Sequence, residues 1–454
     1  MELINTIPVL GPFLTAVLSF IVCLSIVVAV HELGHLMVGR WCGIKAEVYS
    51  IGFGKVLYSR KDKHGTVWQI ALLPLGGFVK FVGDMDPSSS RAASDDELPP
   101  EKRAHAFHNA ALWKRTLTVA AGPAINFLLS LVIFFGIALF VLPKSSNEPV
   151  IASIAEESTG VSGLMAGDKV LSVNGVETPD FSTILTELQR TNGEEVTVLV
   201  ERDGREMESS VRYVTPPRVT GVSSDGAAMA AGILPGDMIL AINGSEVAST
   251  RHLMLMGVDL TVGEDITVRV DRNDSLLDFT FAPRFVERAH PETGDLMPLP
   301  TMGVMLGEQG IIPGTVETTI SDAAYFAVTR VWSIVTDSLN YINQMLFKGA
   351  TTDHLSGPIG IAKHSGAAAS GGFSNFLMFI AFVSTAIGFM NLLPIPILDG
   401  GHLMFYLAEA IRGRPANPAI VQYGTMAGFS LLILLMVFVT FNNDLGLGDW
   451  LTQN

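Results

Sequence analysis

An apolar run from Phe13 to Val30 leads without a break into His31-Glu32-Leu33-Gly34-His35-Leu36. A stretch this long and uncharged has to close its backbone hydrogen bonds within itself, which in a bilayer means a helix. On a helix, side chains four apart share a face, so His31 and His35 present two imidazoles to one point. Glu32 stands beside them, near enough to hold a metal-bound water without being a ligand. Two His with an adjacent Glu is the donor set of a hydrolytic zinc centre, the Glu serving as general base. Charged and His side chains are expensive at membrane depth, which makes all three candidates for function rather than packing.

The run is not alone. Residues 13–38, 114–142, 373–411 and 419–441 are each near or above the ~20 residues that span a bilayer, and 48% of the 454 residues are hydrophobic against 16% charged. The reading is a polytopic α-helical membrane protein with four transmembrane helices. A net charge of −15 excludes nucleic acid as a partner, because phosphate binding needs basic surface. Orientation follows from Lys and Arg. None precedes the first span, while Arg40, Lys45, Lys55, Arg60, Lys61 and Lys63 follow it, and Arg412 and Arg414 lie between the third and fourth. Residues 40–113 are therefore expected in the cytoplasm, with residues 144–372 and both termini outside. The N-terminus lacks a basic region and does not read as a cleaved signal peptide. Cys23 and Cys42 fall on one predicted helix, on the order of 28 Å apart, too far for a disulfide.

Between the spans, residues 46–59 and 66–82 are rich in β-branched and aromatic residues and are punctuated by Gly52-Phe53-Gly54, Lys63-His64-Gly65 and Gly76-Gly77. This reads as two hairpins, too apolar for open cytoplasm and so associated with the membrane. Residues 84–104 read as a disordered loop. Gly122-Pro123-Ala124-Ile125-Asn126 in the second span reads as a kink with close packing through small residues. Farther on, Gly163-Leu164-Met165-Ala166-Gly167-Asp168 returns as Gly232-Ile233-Leu234-Pro235-Gly236-Asp237, an offset of 232 − 163 = 69, each followed by an Asn-Gly turn. Two small β-rich domains in tandem are expected, and they resemble PDZ domains of the bacterial, circularly permuted type. Tyr325, Val328, Trp332, Val335, Leu339, Ile342 and Leu346 then mark an amphipathic helix, capped by Ser321 or Asp322, lying on the outer interface or against the repeats.

The third span supplies a carboxylate. Pro394-Ile395-Pro396 breaks its helix and Asp399-Gly400-Gly401 follows. Asp399 lies at most roughly 35 Å along its span and His31 roughly 27 Å along its own, both in the inner half of the bilayer. His31, His35 and Asp399 would make three ligands and leave a fourth position for water. His402 is a competitor, but a fourth protein ligand would close the site, so it is expected outside the ligand set.

Together, His31-Glu32-Leu33-Gly34-His35 and the stretch from Asn391 to Gly400 (NLLPIPILDG) resemble the bacterial site-2 protease family of intramembrane zinc peptidases. The resemblance implies Zn2+ held by His31, His35 and Asp399, with Glu32 as catalytic acid and base. It also implies that Asn391 contacts the substrate, with Pro394 beside it on the substrate side. Implied partners are the lipid bilayer and single-pass membrane proteins, such as an anti-sigma factor or signal-peptide remnants, in a bacterial inner membrane with the PDZ-like domains periplasmic. The expected fold class is then four transmembrane helices with membrane-associated β-hairpins and two inserted PDZ-like α+β domains. Its divisions are 1–43 (first helix), 44–83 (hairpins), 84–113 (cytoplasmic loop), 114–143 (second helix), 144–215 and 216–290 (the repeats), 291–372 (external connector with the amphipathic helix), 373–412 (third segment) and 419–441 (fourth helix). A non-enzymatic PDZ-containing membrane adaptor is the alternative, and it leaves Glu32 without a reason to stand in lipid. A metal transporter is the other, but four spans offer no paired inverted repeats.

Overall fold

A computed structural model describes residues 10–84, 99–142, 144–154, 163–190, 195–212, 217–223, 226–258, 260–261, 263–272, 274–289, 296–306, 311–347 and 357–441. The chain divides into two compact units, residues 1–142 with 318–454, and residues 143–317.

Four helices of the first unit are long and apolar enough to cross a membrane: α1 (Leu10–Trp41), α2 (Leu112–Phe140), α5 (Phe373–Leu392) and α7 (Pro418–Val439). Between the second and third run α3 (Ile320–Phe347) and α4 (Pro358–Ser370), and α6 (Asp399–Arg412) follows α5. The third span is thus interrupted, for a reason visible in its residues. Leu393 precedes a proline, which disfavours helical ψ, and it sits at φ −65°, ψ 147°. Neither Pro394 nor Pro396 has an N–H to carry the helix on. The chain then folds back closely enough for Gly400 to touch the carbonyls of Leu392 and Leu393, where a side chain has no room. α1 and α2 also cross closely: a Cβ on Gly34 would stand 2.5 Å from the carbonyl oxygen of Ala121.

Residues 46–81 form one sheet of two long bent strands, β1 (Ala46–Lys61) and β2 (Val67–Phe81), rather than two separate hairpins: 46–51 pair antiparallel with 77–81, 56–61 pair antiparallel with 67–71, and 48–51 run parallel to 67–70. Gly52 and Gly54 adopt φ of 90° and 87° where β1 doubles back, so that 48–51 and 56–61 run in opposite senses on the two sides of 67–71. Ile51 consequently faces both Gly77 and Ile70, one on each side, so β2 wraps around the first half of β1. The sheet lies on α1, where the Tyr49 hydroxyl donates to the carbonyl of Ala29 at 2.7 Å. Of the loop expected at 84–104, residues 85–98 lie outside the described residues. The remainder is structured, with a helical turn at Pro100–Arg103 and a buried Phe107 stacked on Phe81. The apolar pair Ala106-Phe107 anchors it, a signal weaker than the charged run before it. Cys23 and Cys42 are free and buried.

α3 is a helix, but its packed face is not the expected one. Ala323, Ala327 and Ile334 are buried, the latter two in a cluster with Phe134 of α2 and Ala381 of α5. The expected stripe faces away, with Trp332 67% exposed. Hydrophobic period finds an apolar face but cannot say which face meets protein when the alternative surroundings are apolar too. Small residues at 323 and 327 let the backbones approach. The cap is Thr319, two or three residues earlier than expected: its N–H donates to the Asp322 carboxylate and its hydroxyl accepts from the Asp322 N–H, both at 3.2 Å.

The second unit contains the repeat as two lobes of like topology. One has a four-stranded sheet in the order Val176–Glu177, Lys169–Val173, Glu195–Arg202, Arg205–Arg212; the other has Ser245–Glu246, Met238–Ile242, Ile266–Arg272, Ser275–Phe281. Their Asn-Gly turns match, with Asn174 and Asn243 at φ 48° and 49°. The repeated aspartates do the same work in each. Asp168 accepts from the Met165 amide and pairs with Arg202 through two bonds of 2.6 and 2.7 Å, and Asp237 does so with Leu234 and Arg272. Burial alone would raise these carboxyls, but the guanidinium and amide donors hold both below the usual range.

Neither lobe ends where the repeat does. Val304–Leu306 pairs with Val219–Val222 of the second lobe, and Ile311–Pro313 pairs with Ile151–Ile154 of the first, where Ile311 joins the core. Lys144–Ser145 pairs with Thr315–Val316. Residues 302–306 and 311–316, expected in the connector, therefore belong to the lobes. Strands this short carry too little pattern to be assigned from sequence.

Candidate metal centre

α1 and α6 bring His31, His35 and Asp399 together, each offering one ligand atom within 4.8 Å of the others. The Nε2 atoms of the two His are 3.1 Å apart, and Asp399 Oδ2 lies 3.1 Å from one and 3.5 Å from the other. Atoms so spaced share a point roughly 2 Å from all three, the length of a zinc bond to imidazole or carboxylate. The imidazoles meet edge to face at 4.8 Å between centroids. The residues present thus fit a zinc ion with three protein ligands and an open side.

The surrounding groups set the protons. His35 Nδ1 lies 2.8 Å from the carbonyl oxygen of Thr118, which only accepts, so Nδ1 carries the hydrogen and Nε2 keeps its lone pair for a metal. Gly122 forms the floor. A Cβ there would overlap the His35 ring at Cε1 and Nε2 and stand 2.8 Å from Cε1 of His31. Asn126, one turn on and fully buried, places Nδ2 3.2 Å from His31 Nδ1. Its carbonyl accepts from Ser130 of α2 at 3.0 Å and from Ser384 of α5 at 2.9 Å. The segment read from sequence as a kink with close packing therefore touches both imidazoles. Gly122 and Asn126 share the i, i+4 spacing of the histidines, and that shared face was the available signal.

Glu32 lies outside the ligand set. Its carboxylate accepts from the Val79 amide, and Gly77 of β2 abuts its side chain. β2 thus holds Glu32 through the Val79 amide and the close approach of Gly77. Asp399 is carried by the start of α6, which is tied to α2 through Arg115 and Glu409, 2.6 Å apart, with the guanidinium over the Tyr406 ring. Asn391 occupies the last turn of α5, half-buried, and Pro394 is exposed in the break; neither supplies an atom to the cluster. His402 is also outside it.

Comparison with known proteins agrees with this chemistry. The model of peptidase family M50 matches residues 19–435. The regulator of sigma-E protease RseP of Escherichia coli is 31% identical over 95% of this chain and 98% of its own length. The regulator of sigma E protease of Salmonella typhi is 30% identical over 94% and 97%. A Rhizobium meliloti protein named for zinc metalloprotease activity is 33% identical over 94% and 95%. With the family model covering most of its residues, the chain belongs to peptidase family M50 and is a site-2 type zinc metalloprotease that works within the membrane.

Proposed function

We propose that this protease stands in a bacterial inner membrane with its active site toward the cytoplasm and its two PDZ-like lobes in the periplasm. It cuts the transmembrane segments of single-pass proteins, of the anti-sigma factor and signal-peptide-remnant kind. The observation that carries this reading is the meeting of His31 and His35 with Asp399 inside a bundle of apolar helices, with Glu32 beside them as a carboxylate that is not a ligand. The Lys and Arg that follow the first span support the orientation.

Bound zinc supplies the Lewis acid that polarises the scissile carbonyl and lowers the pKa of water toward ~7. His31, His35 and Asp399 hold it, the imidazoles neutral and the carboxylate charged. Glu32 accepts the proton of the attacking water and returns it to the leaving amine, so that one water is consumed for each peptide bond broken. The Asn391 amide lies on the substrate side, with Pro394 exposed next to it. A transmembrane substrate arrives with its carbonyls hydrogen-bonded in a helix and has to unwind before attack. The limb Gly76–Phe81 runs beside Glu32, and strand pairing with this sheet keeps the unwound segment extended. Exposed Phe53, Leu57, Tyr58 and Leu73 suit that sheet to an apolar setting.

The test is direct. The purified full chain should cut a single-pass transmembrane substrate, lose the activity to a chelator and regain it with zinc; a zinc-loaded chain without cleavage would favour the adaptor. The lobes reject substrates that keep a bulky external domain, because intact and trimmed substrates share the same transmembrane segment and differ only outside. Replacing residues 146–314, both lobes with their closing strands, by a short linker should admit full-length substrate with little change for trimmed ones. Continued refusal by a variant still active on trimmed substrate places the gate elsewhere.

A further inference from the structure

We infer that Arg115 and Glu409 are positioning residues for the metal: their ion pair sets the roll of α6, and so the place of Asp399 relative to the two histidines. This rests on Asp399 being a ligand. The need for such a device comes from the break. α5 ends with Leu393 in extended backbone, so its direction is not handed on to α6. Gly400 and Gly401 seat the first turn of α6 against the carbonyls of Leu392, Leu393 and Ile395. That fixes where the helix starts, but glycines have no side chain to stop it from turning about its axis. Cα atoms lie about 2.3 Å from that axis and a carboxylate roughly 3 Å farther out, so a roll of about 10° carries an Asp399 oxygen roughly 1 Å. A misplacement of that size is enough to cost about 10²-fold in rate.

The roll is set farther along. Arg115 of α2 forks onto Glu409, its two Nη atoms 2.6 and 3.3 Å from the two carboxylate oxygens, while its Nε donates to the carbonyl of Ala110 at 3.1 Å. The guanidinium carbon also lies 5.1 Å from the centroid of the Tyr406 ring. Tyr406 follows Asp399 by seven residues, about 20° round the helix from it, and Glu409 follows by ten, about 80° round. Arg115 therefore meets α6 both on the side that carries the ligand and on one flank of it. It stands one turn from Thr118, whose carbonyl oxygen lies 2.8 Å from His35 Nδ1. The same stretch of α2 thus locates the histidines and the helix that brings the carboxylate. Both charges are largely out of solvent, at 13% and 15% side-chain exposure. Two leucines would hold the helices together as well or better, because the charges give up their hydration. What the fork adds is a fixed geometry that apolar side chains lack.

The test uses the full chain in detergent, with zinc as the probe and melting of the metal-free protein as the control for folding. Replacing both residues by Leu leaves no charge buried without its partner, so the metal-free variant should melt at or above the wild-type temperature. Its zinc affinity should nonetheless fall about 10- to 100-fold, the usual effect of losing a group that orients a ligand. Arg115→Lys, which keeps the charge and gives up the fork, should fall part of the way, and exchanging the pair (Arg115→Glu with Glu409→Arg) should regain part of the loss. A double-leucine chain that binds zinc like the wild type overturns the inference. A loss of affinity that comes only with a lower melting temperature overturns it too, since the pair then serves stability. Should the double variant fail to fold, Arg115→Lys decides, and unchanged affinity there is fatal. With Asp399→Asn added, presence or absence of the pair should make no difference to the remaining zinc binding. A difference that persists would route the effect through the histidines instead. Zinc affinity indifferent to Asp399→Asn in the otherwise wild-type chain would strike at the ligand set itself.

Discussion

Glu32→Gln is expected to leave zinc bound and to slow cleavage by about 10²- to 10⁴-fold, the usual contribution of a positioned general base. The residue is next to His31 in sequence but about 100° round the helix from it, and it is absent from the set of three ligand atoms. Its carboxylate is held by the Val79 amide, so it is fixed from outside the ligand set. The amide of Gln keeps the shape and the bond from Val79 while removing the basic lone pair. Metal analysis of the purified variant beside its cleavage rate gives the answer. Loss of zinc together with activity would make Glu32 a ligand and undo the assignment. Asp399→Asn should behave oppositely, losing metal first, because a neutral amide is a weaker ligand than a carboxylate.

Gly122→Ala should be nearly as damaging, and from an unexpected direction. The new methyl group would occupy space now filled by the His35 ring, and that ring cannot simply step aside: Nδ1 is bonded to Thr118 and Nε2 faces His31 and Asp399. A shift of about 1 Å in one ligand is enough to cost roughly 10²-fold in activity. Alanine favours a helix by about 1 kcal/mol over glycine, which offsets only part of the overpacking cost of about 1–3 kcal/mol, so the metal-free variant should melt slightly below the wild type while zinc binding falls much further. Zinc titration and thermal melting of the metal-free protein separate the two effects. An alanine variant that binds zinc as tightly as the wild type would mean that the floor yields.

The parts of the site that were legible in sequence are those whose chemistry clashes with their surroundings. Two His and a Glu at the end of an apolar helix have no bland explanation, nor has Asp399 beside a broken one, although it stands 399 − 31 = 368 residues away. Gly122 and Asn126 were harder, since a glycine before a proline in a membrane helix already has a structural use. The outward face of α3 was misread because the rule that apolar means inward assumes water outside. In the second unit the Asn-Gly turns marked both lobes plainly, whereas Val304–Leu306 and Ile311–Pro313 are three residues each and acquire meaning only through partners 80 or more residues earlier.

Those two closing strands fix an order of completion. As the chain leaves the ribosome, the first lobe has its last sheet strand by Arg212 but waits for Ile311, a further 311 − 212 = 99 residues. At about 5–20 residues per second that is roughly 5–20 s with the edge of Ile151–Ile154 unpaired and the core short of one member. The second lobe, complete at Leu306, is finished first. The inner lobe is an insertion within the outer one, and the lineage of such proteins is constrained accordingly: a deletion can remove residues 217–306 and leave a whole domain, but no deletion can remove the outer lobe alone without cutting the chain in two places.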